Sequence, residues 1–422
     1  MATTLAGNAA LTASPGAPIA LGGRKKRSLG GPAAPSSTPP VFAKGFRLFF
    51  LLAGAQAVLL LPAWLLTLAG VLQPVRYFDA MTWHAHEMLF GFTTAVIAGF
   101  LLTAVANWTG RETLVGRPLL IAGALWAAGR LAMTIPGALP RFVPAVVDLA
   151  FLPVLAVAIA RPLVAANNRK NFVMLGVLSV LWATNLAVHL DALGVASGLR
   201  SRAVGLALDL VVLLMILIAG RVFPMFTKNG TGDADVAGHP TLDKLAAVAM
   251  VVTCVLDLSL ADARAGAVAA GVAGVLVAAR AHGWMTRKIA RVPLVWILHV
   301  GHAWIVLGLL LRPLSAFTSL ASSAQATHAL TVGGIGCLTL GMMTRVSLGH
   351  TGRLLAASPG MVGSFVLLTL AALVRVVAPF FTVAGYRTSV FVAGGLFTAA
   401  FVVFVAVVGP LLIAPRADGK AG

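Results

Sequence analysis

Charged side chains are scarce in this chain, and acidic ones are the scarcest. Only 10% of its 422 residues are charged and 12 of these are acidic, whereas 59% of the chain is hydrophobic. A soluble globular domain carries about a quarter charged residues. Too little polar side chain is therefore present to cover a water-soluble body of this size, and the high apolar content equally excludes a disordered or collagen-like chain.

Cysteine is almost absent as well. Cys254 and Cys337 lie inside apolar runs and form no CxxC pair, which excludes a disulfide framework and a cysteine-based zinc site. The sequence also lacks a Walker A motif, a GxGxxG fingerprint, a nucleophile elbow and an HExxH motif. The usual signatures of nucleotide, dinucleotide, serine-hydrolase and zinc-protease chemistry are thus missing.

The net charge of +19 would suggest nucleic acid binding in a soluble protein. In a chain this apolar, the basic residues are instead expected in short loops between membrane spans, where they set the orientation. Membrane lipid is therefore the expected partner, and no nucleic acid is expected.

The first 40 residues differ from the rest in composition. They are rich in Ala, Pro, Gly and Ser and contain the basic run Arg24-Lys25-Lys26-Arg27, which predicts a disordered basic tail. The run follows a weakly apolar stretch and does not precede an apolar core, so a signal peptide is not expected. Residues 42–414 are predicted to form one transmembrane domain, with a short tail over 415–422.

Apolar segments follow one another from residue 46 onward. Each has about 18–25 residues, enough for a helix to cross a hydrocarbon core of about 30 Å. The segments are too long for barrel strands and do not alternate. The sequence therefore predicts an all-α polytopic membrane protein with about twelve transmembrane helices. The predicted spans are 46–70, 83–106, 117–135, 142–162, 172–193, 203–226, 241–260, 263–281, 292–312, 324–346, 360–378 and 390–414.

The basic residues predict the orientation. If the run at 24–27 is cytoplasmic, an even number of helices places both termini in the cytoplasm, and most of the 31 Lys and Arg residues then fall on that side. This bias agrees with the positive-inside rule.

The same orientation collects histidines and acidic residues near the outer ends of the predicted helices. An ionisable side chain inside a bilayer is costly unless it is paired or bound to a metal, which makes such residues functional candidates. Each residue alone is equally explained as a helix cap at the water interface, but Asp148 and Asp209 lie well inside their segments. The layer contains His84, His86, Glu87, Asp148, His189, Asp191, Asp209, Asp257 and His328.

Helical spacing limits which of these residues can act together. His84 and His86 are about 200° apart around a helix and cannot face the same pocket. His84 and Met88 share a face, and imidazole with thioether is a reasonable soft pair for Cu(I), although Met88 is equally explained by packing. His86 then faces a different cavity, with His328 of the tenth predicted helix as a partner. Imidazole is also a common axial ligand of haem iron.

Two further places carry candidates. His299 and His302 share a face near the middle of the ninth predicted helix, where a hydrogen bond to a neighbouring helix or a metal explains them equally. At the inner end of the tenth, Arg345 and His350 form part of a basic terminus. Arg345 can pair with a haem propionate, although anchoring at the inner interface is the commoner role of such a residue.

Several polar stretches together resemble one known family, the NnrS family. The stretches are WHAHEMLFG at 83–91, AGFLLTAVANWTG at 98–110, GRVFPMFT at 220–227, PLVWILH at 293–299, HALTVG at 328–333 and MTRVSLGHTGR at 343–353. The similarity covers residues from about 42 to 414. The sequence departs from the family pattern at His302, where an aromatic residue is expected, and at Ala106, where a proline is expected.

The resemblance implies a twelve-helix protein of the bacterial inner membrane that contains haem b and copper and is linked to denitrification and nitric oxide stress. Nitric oxide or iron-nitrosyl species are the implied partners. The candidate haem residues are His86, His328, His189, His299 and His350, with His86 and His328 as the preferred pair. The candidate copper residues are His84 and Met88. Glu87, Asp148, Asp209 and Arg345 are expected to support these ligands, with Asp148 and Asp209 orienting histidines.

Two alternatives have other activities. A proton-coupled secondary transporter of a small solute would use Asp148, Asp209 and Asp257 for coupling, but no repeat between the two halves and no long central loop accompany the twelve helices. An enzyme that reduces nitric oxide would need a binuclear site with electron entry, for which the sequence shows no motif. The sequence indicates no catalytic residue, electron donor or oligomeric state.

Overall fold

The chain folds as an all-α protein in the computed structural model. The structure describes residues 38–73, 77–134, 139–259, 263–381 and 385–420. The tail predicted over residues 1–40 lies outside the described residues except for its last three, and so do the last two residues of the chain. Within the described ranges, each of the twelve predicted spans corresponds to one long helix.

We number the long helices α1–α12 in chain order. Short 3₁₀ turns lie beside several of them, such as Arg169–Asn171 before α5. The bounds are Gly45–Leu68 (α1), Ala80–Thr109 (α2), Arg117–Thr134 (α3), Phe142–Ala165 (α4), Val173–Ala192 (α5), Arg200–Thr231 (α6), Pro240–Leu258 (α7), Ala263–Ala281 (α8), Pro293–Phe317 (α9), Ser323–His350 (α10), Pro359–Val377 (α11) and Tyr386–Ile413 (α12).

Ten of these helices are long and apolar enough to cross a membrane. Among the described residues, the two long helices that fall outside this set are α3 and α7, which match the expected spans 117–135 and 241–260. Charged residues set them apart: α3 carries Arg117 and Arg130, and α7 carries Asp243, Lys244 and Asp257. Arg130 and Asp257 form ion pairs within the bundle, which reduces the cost of placing them there.

The first and last helices pack against each other. At one end of the bundle the buried Arg47 of α1 donates hydrogen bonds to the carbonyls of Leu412 and Ala414, at 3.0 and 2.7 Å. At the same end Arg416 donates to the carbonyl of His350 at 2.7 Å. These contacts satisfy carbonyls that a helix leaves without partners at its C-terminus. They hold the ends of α10 and α12 beside the start of α1.

Helices α2 and α10 each contain a wide, π-helical turn. The turns cover Glu87–Thr93 and Ala329–Gly336, and each begins directly after a histidine motif. In α2, Thr93 donates to the carbonyl of Met88 at 2.8 Å, and Trp126 of α3 donates to that of Gly91 at 3.1 Å. These side chains add hydrogen bonds to carbonyls of the wide turn. Such turns are rare and are frequent at functional sites.

Glycines let α9 and α10 approach closely. A Cβ atom on Gly301 would come within 2.9 Å of the backbone nitrogen of Leu338, and one on Gly308 would come within 2.9 Å of that of Leu330. Small residues at such crossings are typical of helix packing in membranes. The close contact keeps the wide turn of α10 against α9.

We expect Gly301→Leu to lower the unfolding free energy by about 1–3 kcal/mol, because the added side chain would meet backbone and force the helices apart. Thermal unfolding of the detergent-solubilised protein measures the effect. Gly176→Leu in α5 is the matched control, since a Cβ there meets nothing within 4 Å. Equal unfolding temperatures for the two variants would contradict the packing argument.

Candidate metal centre

Three side chains from three helices meet in the half of the bundle where α2 begins. They are His86 of α2, Asp148 of α4 and His189 of α5, all buried, and one ligand atom from each lies within 4.8 Å of the others. Asp148 Oδ2 lies 3.0 Å from His189 Nε2 and 3.3 Å from His86 Nε2. Two imidazoles and a carboxylate form a donor set that copper, zinc and iron accept.

His86 faces hydrogen-bond acceptors on both ring nitrogens. Nδ1 lies 3.1 Å from Glu87 Oε1, and Nε2 lies 3.0 Å from Asn185 Oδ1. The orientation of Asn185 is set by Asp148, because its amide nitrogen donates to Asp148 Oδ2 at 2.7 Å. Each nitrogen of His86 therefore needs either a proton or a metal ion, since a bare lone pair would face an acceptor.

Arg130 of α3 links the two buried carboxylates. Its guanidinium donates to Glu87 Oε1 at 2.5 Å and makes a close ion pair with Asp148. Gln56 also donates to Glu87, at 2.9 Å. Gly91 leaves room for this approach, because a Cβ there would lie 2.9 Å from the guanidinium. Two carboxylates and one guanidinium leave one negative charge, which a single proton or monovalent metal ion at His86 neutralises.

Tyr77 closes the cluster from the loop before α2. Its hydroxyl lies 2.7 Å from His189 Nδ1. Burial raises the pKa of Tyr77 to about 12, so the hydroxyl keeps its proton at neutral pH and can donate to Nδ1. His189 then presents Nε2–H to Asp148, whereas a metal ion at Nε2 would require the proton on Nδ1, which then donates to the Tyr77 oxygen. Such hydrogen bonds fix the tautomer and orientation of an imidazole, as groups around metal ligands do.

A second imidazole pair lies beside the first, on the other side of α2. His84 stacks on Trp64 of α1 with a ring distance of 4.2 Å and interacts electrostatically with His328 of α10 and Arg375 of α11. His328 Nδ1 donates to the carbonyl of Ala324 at 2.7 Å, which leaves Nε2 as its ligand atom. His84 and His86 thus face different sites, as their spacing predicts.

Several polar atoms around this second pair have no partner. Trp64 Nε1, His84 Nδ1 and Arg375 Nη1 are buried without a hydrogen bond. Arg375 is 7% exposed, and its guanidinium donates to the Tyr386 hydroxyl at 3.0 Å. Within the part of the chain that the structure describes, no carboxylate pairs with it. A buried cation without a counter-ion is costly, so these atoms indicate a site for a polar or anionic group.

The remaining haem candidates lie apart from both groups. His299 Nε2 is 2.9 Å from the hydroxyl of Thr227, near the end of α6, and His302 is hydrogen-bonded to the carbonyl of Val277. His350 packs against Phe46 at the opposite end of the bundle. The guanidinium of Arg345 lies over the ring of Phe226, 4.1 Å from its centre. The structure brings none of these residues to His86 or His84.

The contacts in the structure differ from the residue pairs expected for His86, His84 and Asp209. The interaction partners of His328 are His84 and Arg375, whereas those of His86 include His189 of α5. Met88 packs against the hydrophobic core, and the wide turn begins between it and His84. Asp209 contacts Arg312 and not a histidine, because its side of α6 faces α7 and α9.

Sequence reasoning missed residues that complete both sites. The missed residues are Gln56, Trp64, Tyr77, Arg130, Asn185 and Arg375. A signal was present for two of them, because Arg130 and Arg375 are charged residues inside apolar segments. Asn185 lies one helical turn before His189, so its position on the same face was also visible. Trp64, Tyr77 and Gln56 carry no such signal, since only the packing of α1 and its following loop brings them close.

The fold and the site define a multi-pass, all-α membrane protein with one buried and one half-buried histidine cluster. The family model described as NnrS protein matches residues 40–416, and the chain belongs to the NnrS family. It is accordingly a membrane protein related to nitric oxide stress. A search of curated proteins found no match.

Proposed function

We propose that this protein is a bacterial inner-membrane protein that holds haem b and copper at two separate sites and binds nitric oxide or iron-nitrosyl species there. The observation that carries the proposal is the pair of histidine sites on opposite sides of α2, one fully buried and the other half-buried with unpartnered polar atoms around it. Iron and copper held by imidazoles bind nitric oxide, which is the chemistry that the two groups supply when bound.

The site at His84 and His328 fits a haem. The two imidazoles come from different helices and interact with each other, and an imidazole is a common axial ligand. Arg375 supplies a buried positive charge for a propionate, and Trp64 and Arg375 each keep an unused donor. In this assignment the protein orients His328 through the carbonyl of Ala324 and stacks His84 on Trp64.

The site at His86, Asp148 and His189 fits a copper ion. Its ligand atoms are close together and buried, and its excess of one negative charge suits a monovalent cation. Glu87, Arg130, Asn185 and Tyr77 would orient the ligands, as groups around a metal centre do. A cation at His86 Nε2 would take the place that a proton otherwise fills, so the protein's charge balance is the same with either occupant.

An apolar cavity inside the bundle is suited to bind a small uncharged ligand. It has a volume of about 90 Å³ and lies among α1, α2, α6 and α10, beside the wide turns. Thr93, Val211 and Leu338 are among its lining residues. Cavities with such linings stay dry and accept small apolar molecules. Nitric oxide dissolves in lipid, and a cavity of this kind gives it a place inside the bundle.

Visible spectra and metal analysis of the purified, detergent-solubilised protein test the proposal. We expect a Soret band that shifts on reduction and again on addition of nitric oxide, together with copper bound at a fixed ratio to protein. Protein that is monodisperse but carries neither haem nor copper would remove the proposal. Proton-driven solute uptake in vesicles by protein without haem would favour a transporter.

A further inference from the structure

A second polar region of the bundle centres on Asp209 and Arg312 and extends to Thr327, the residue before His328. A cavity of about 300 Å³ is bounded by α6, α8, α9 and α10. Its polar lining consists of Asp209, Arg312, Ser315, Ser323 and Thr327. No role in haem or copper binding accounts for this cavity, because Asp209 and Arg312 contact each other and not the histidine sites.

Asp209 is almost completely buried at the cavity wall, with 2% of its surface exposed. Its Oδ1 accepts a hydrogen bond from Arg312 Nη1 at 2.9 Å, whereas Oδ2 is buried without a hydrogen-bond partner. Arg312 Nη2 makes a close ion pair with Asp257 of α7. One guanidinium thus serves two carboxyl groups, and one carboxyl oxygen of Asp209 has an unused position.

The two carboxyl groups lie against the two terminal nitrogens of the same guanidinium, which brings them close to each other. Two ionised carboxylates are both acceptors and repel at this distance, so a hydrogen bond between them requires a proton on one. Two carboxylates and one guanidinium leave one negative charge, which one proton removes. We propose that Asp209 and Asp257 share one exchangeable proton beside Arg312, and that the cavity is a proton-binding site of this protein.

The surroundings of Asp209 agree with a single exchangeable charge. The groups that interact with the pair are Arg312 of α9 and Cys254 of α7. On α8, Arg264 lies over the ring of Phe317, 5.8 Å from its centre, and α10 contributes Ser323 and Thr327, which do not ionise near neutral pH. Nothing in this proposal depends on the assignment of haem and copper, so either can fail without the other.

A carbodiimide reagent tests the proposal, because it reacts with a protonated carboxyl in apolar surroundings and not with a carboxylate. Membranes with the full-length protein are treated with dicyclohexylcarbodiimide over a pH series, and modified peptides are identified by mass spectrometry. We expect labelling at Asp209 or Asp257 near neutral pH. Above the titration midpoint, labelling should fall by about tenfold for each pH unit, as expected for one site.

Two variants sharpen this test. Asp209→Asn and Asp257→Asn each leave one carboxylate paired with Arg312, so labelling should disappear from the remaining carboxylate in both. Folding of each variant is checked by size-exclusion chromatography and thermal unfolding. Asp243→Asn is the matched control, because Asp243 forms a one-to-one ion pair with Arg280 at 3.2 Å and should not affect labelling of the Asp209–Asp257 pair.

Three results would overturn the proposal. Absence of labelling at every pH would mean that neither carboxyl carries a proton. Labelling of Asp243 to the same extent would mean that the reagent reports general access. Protection by sodium chloride at constant pH and ionic strength, against choline chloride as the reference salt, would mean that a sodium ion and not a proton occupies the site.

Discussion

On the proposed assignment, Asp148→Ala is expected to prevent copper binding and to cost about 3–5 kcal/mol of stability, the usual effect of breaking a buried ion pair from one side. The carboxylate contacts His86, His189, Asn185 and Arg130. Without it, a buried guanidinium loses one of its two anions, and the two imidazoles lose the group between them. Copper-to-protein ratio and thermal unfolding are the measurements.

Matched variants separate charge from packing at this position. Asp148→Asn keeps the shape and one acceptor oxygen but removes the charge, so its loss of stability should be smaller than that of alanine. Asp191→Ala is the control for burial. The Asp191 carboxylate lies in the same half of the bundle, but its partner Arg200 is partly exposed, and exposed pairs contribute about 0–1 kcal/mol. Full copper occupancy in Asp148→Ala would refute the assignment of this cluster to copper.

On the proposed assignment, His84→Ala and His328→Ala are each expected to lower the affinity for haem by more than about tenfold, the lower bound for losing a group that supports a metal site, and so to lower the haem-to-protein ratio. Copper should remain, because the hydrogen bonds and ion pairs of His86, Asp148 and His189 are made with other residues. The Soret absorbance per protein and the copper content, measured on the same sample, test both halves of the expectation.

Two further variants show whether the haem assignment is specific. Arg375→Gln removes the buried charge that would face a propionate and should weaken haem binding while both imidazoles remain. His302→Ala is the control, because its imidazole is hydrogen-bonded only to the carbonyl of Val277 and should leave the Soret band unchanged. Loss of haem in His86→Ala with full haem in His84→Ala would reverse the two assignments.

One helix organises both sites. His84 and His86 are two residues apart on α2, which points their rings in nearly opposite directions. The wide turn that begins at Glu87 then changes the helical register, so that Glu87 faces His86 and Arg130 while Met88 packs in the core. A regular helix would keep the spacing that aligns Met88 with His84. The turn thus begins at the residue that links His86 to Arg130.

Much of the fold follows from composition and segment length. Runs of apolar residues long enough to cross a bilayer are expected to form helices, because a helix satisfies every backbone polar group within the segment. The opposite directions of His84 and His86 also follow from helical geometry. Arg130 and Arg375 were visible as charges inside apolar segments, although their partners were not.

The sequence does not show which residues of different helices contact each other. It gives the depth of a residue along its helix, but neither the rotation of that helix about its axis nor the helices beside it. His86 and His328 have similar expected depths, yet His86 meets Asp148 of α4 and His189 of α5, while His328 interacts with His84 of α2 and Arg375 of α11. Asp209 shares that depth and turns toward Arg312. The sequence by itself determined the class of protein, the helices and the residues at each level; tertiary packing alone decided which of those residues touch, since helix order and rotation arise from contacts between distant segments.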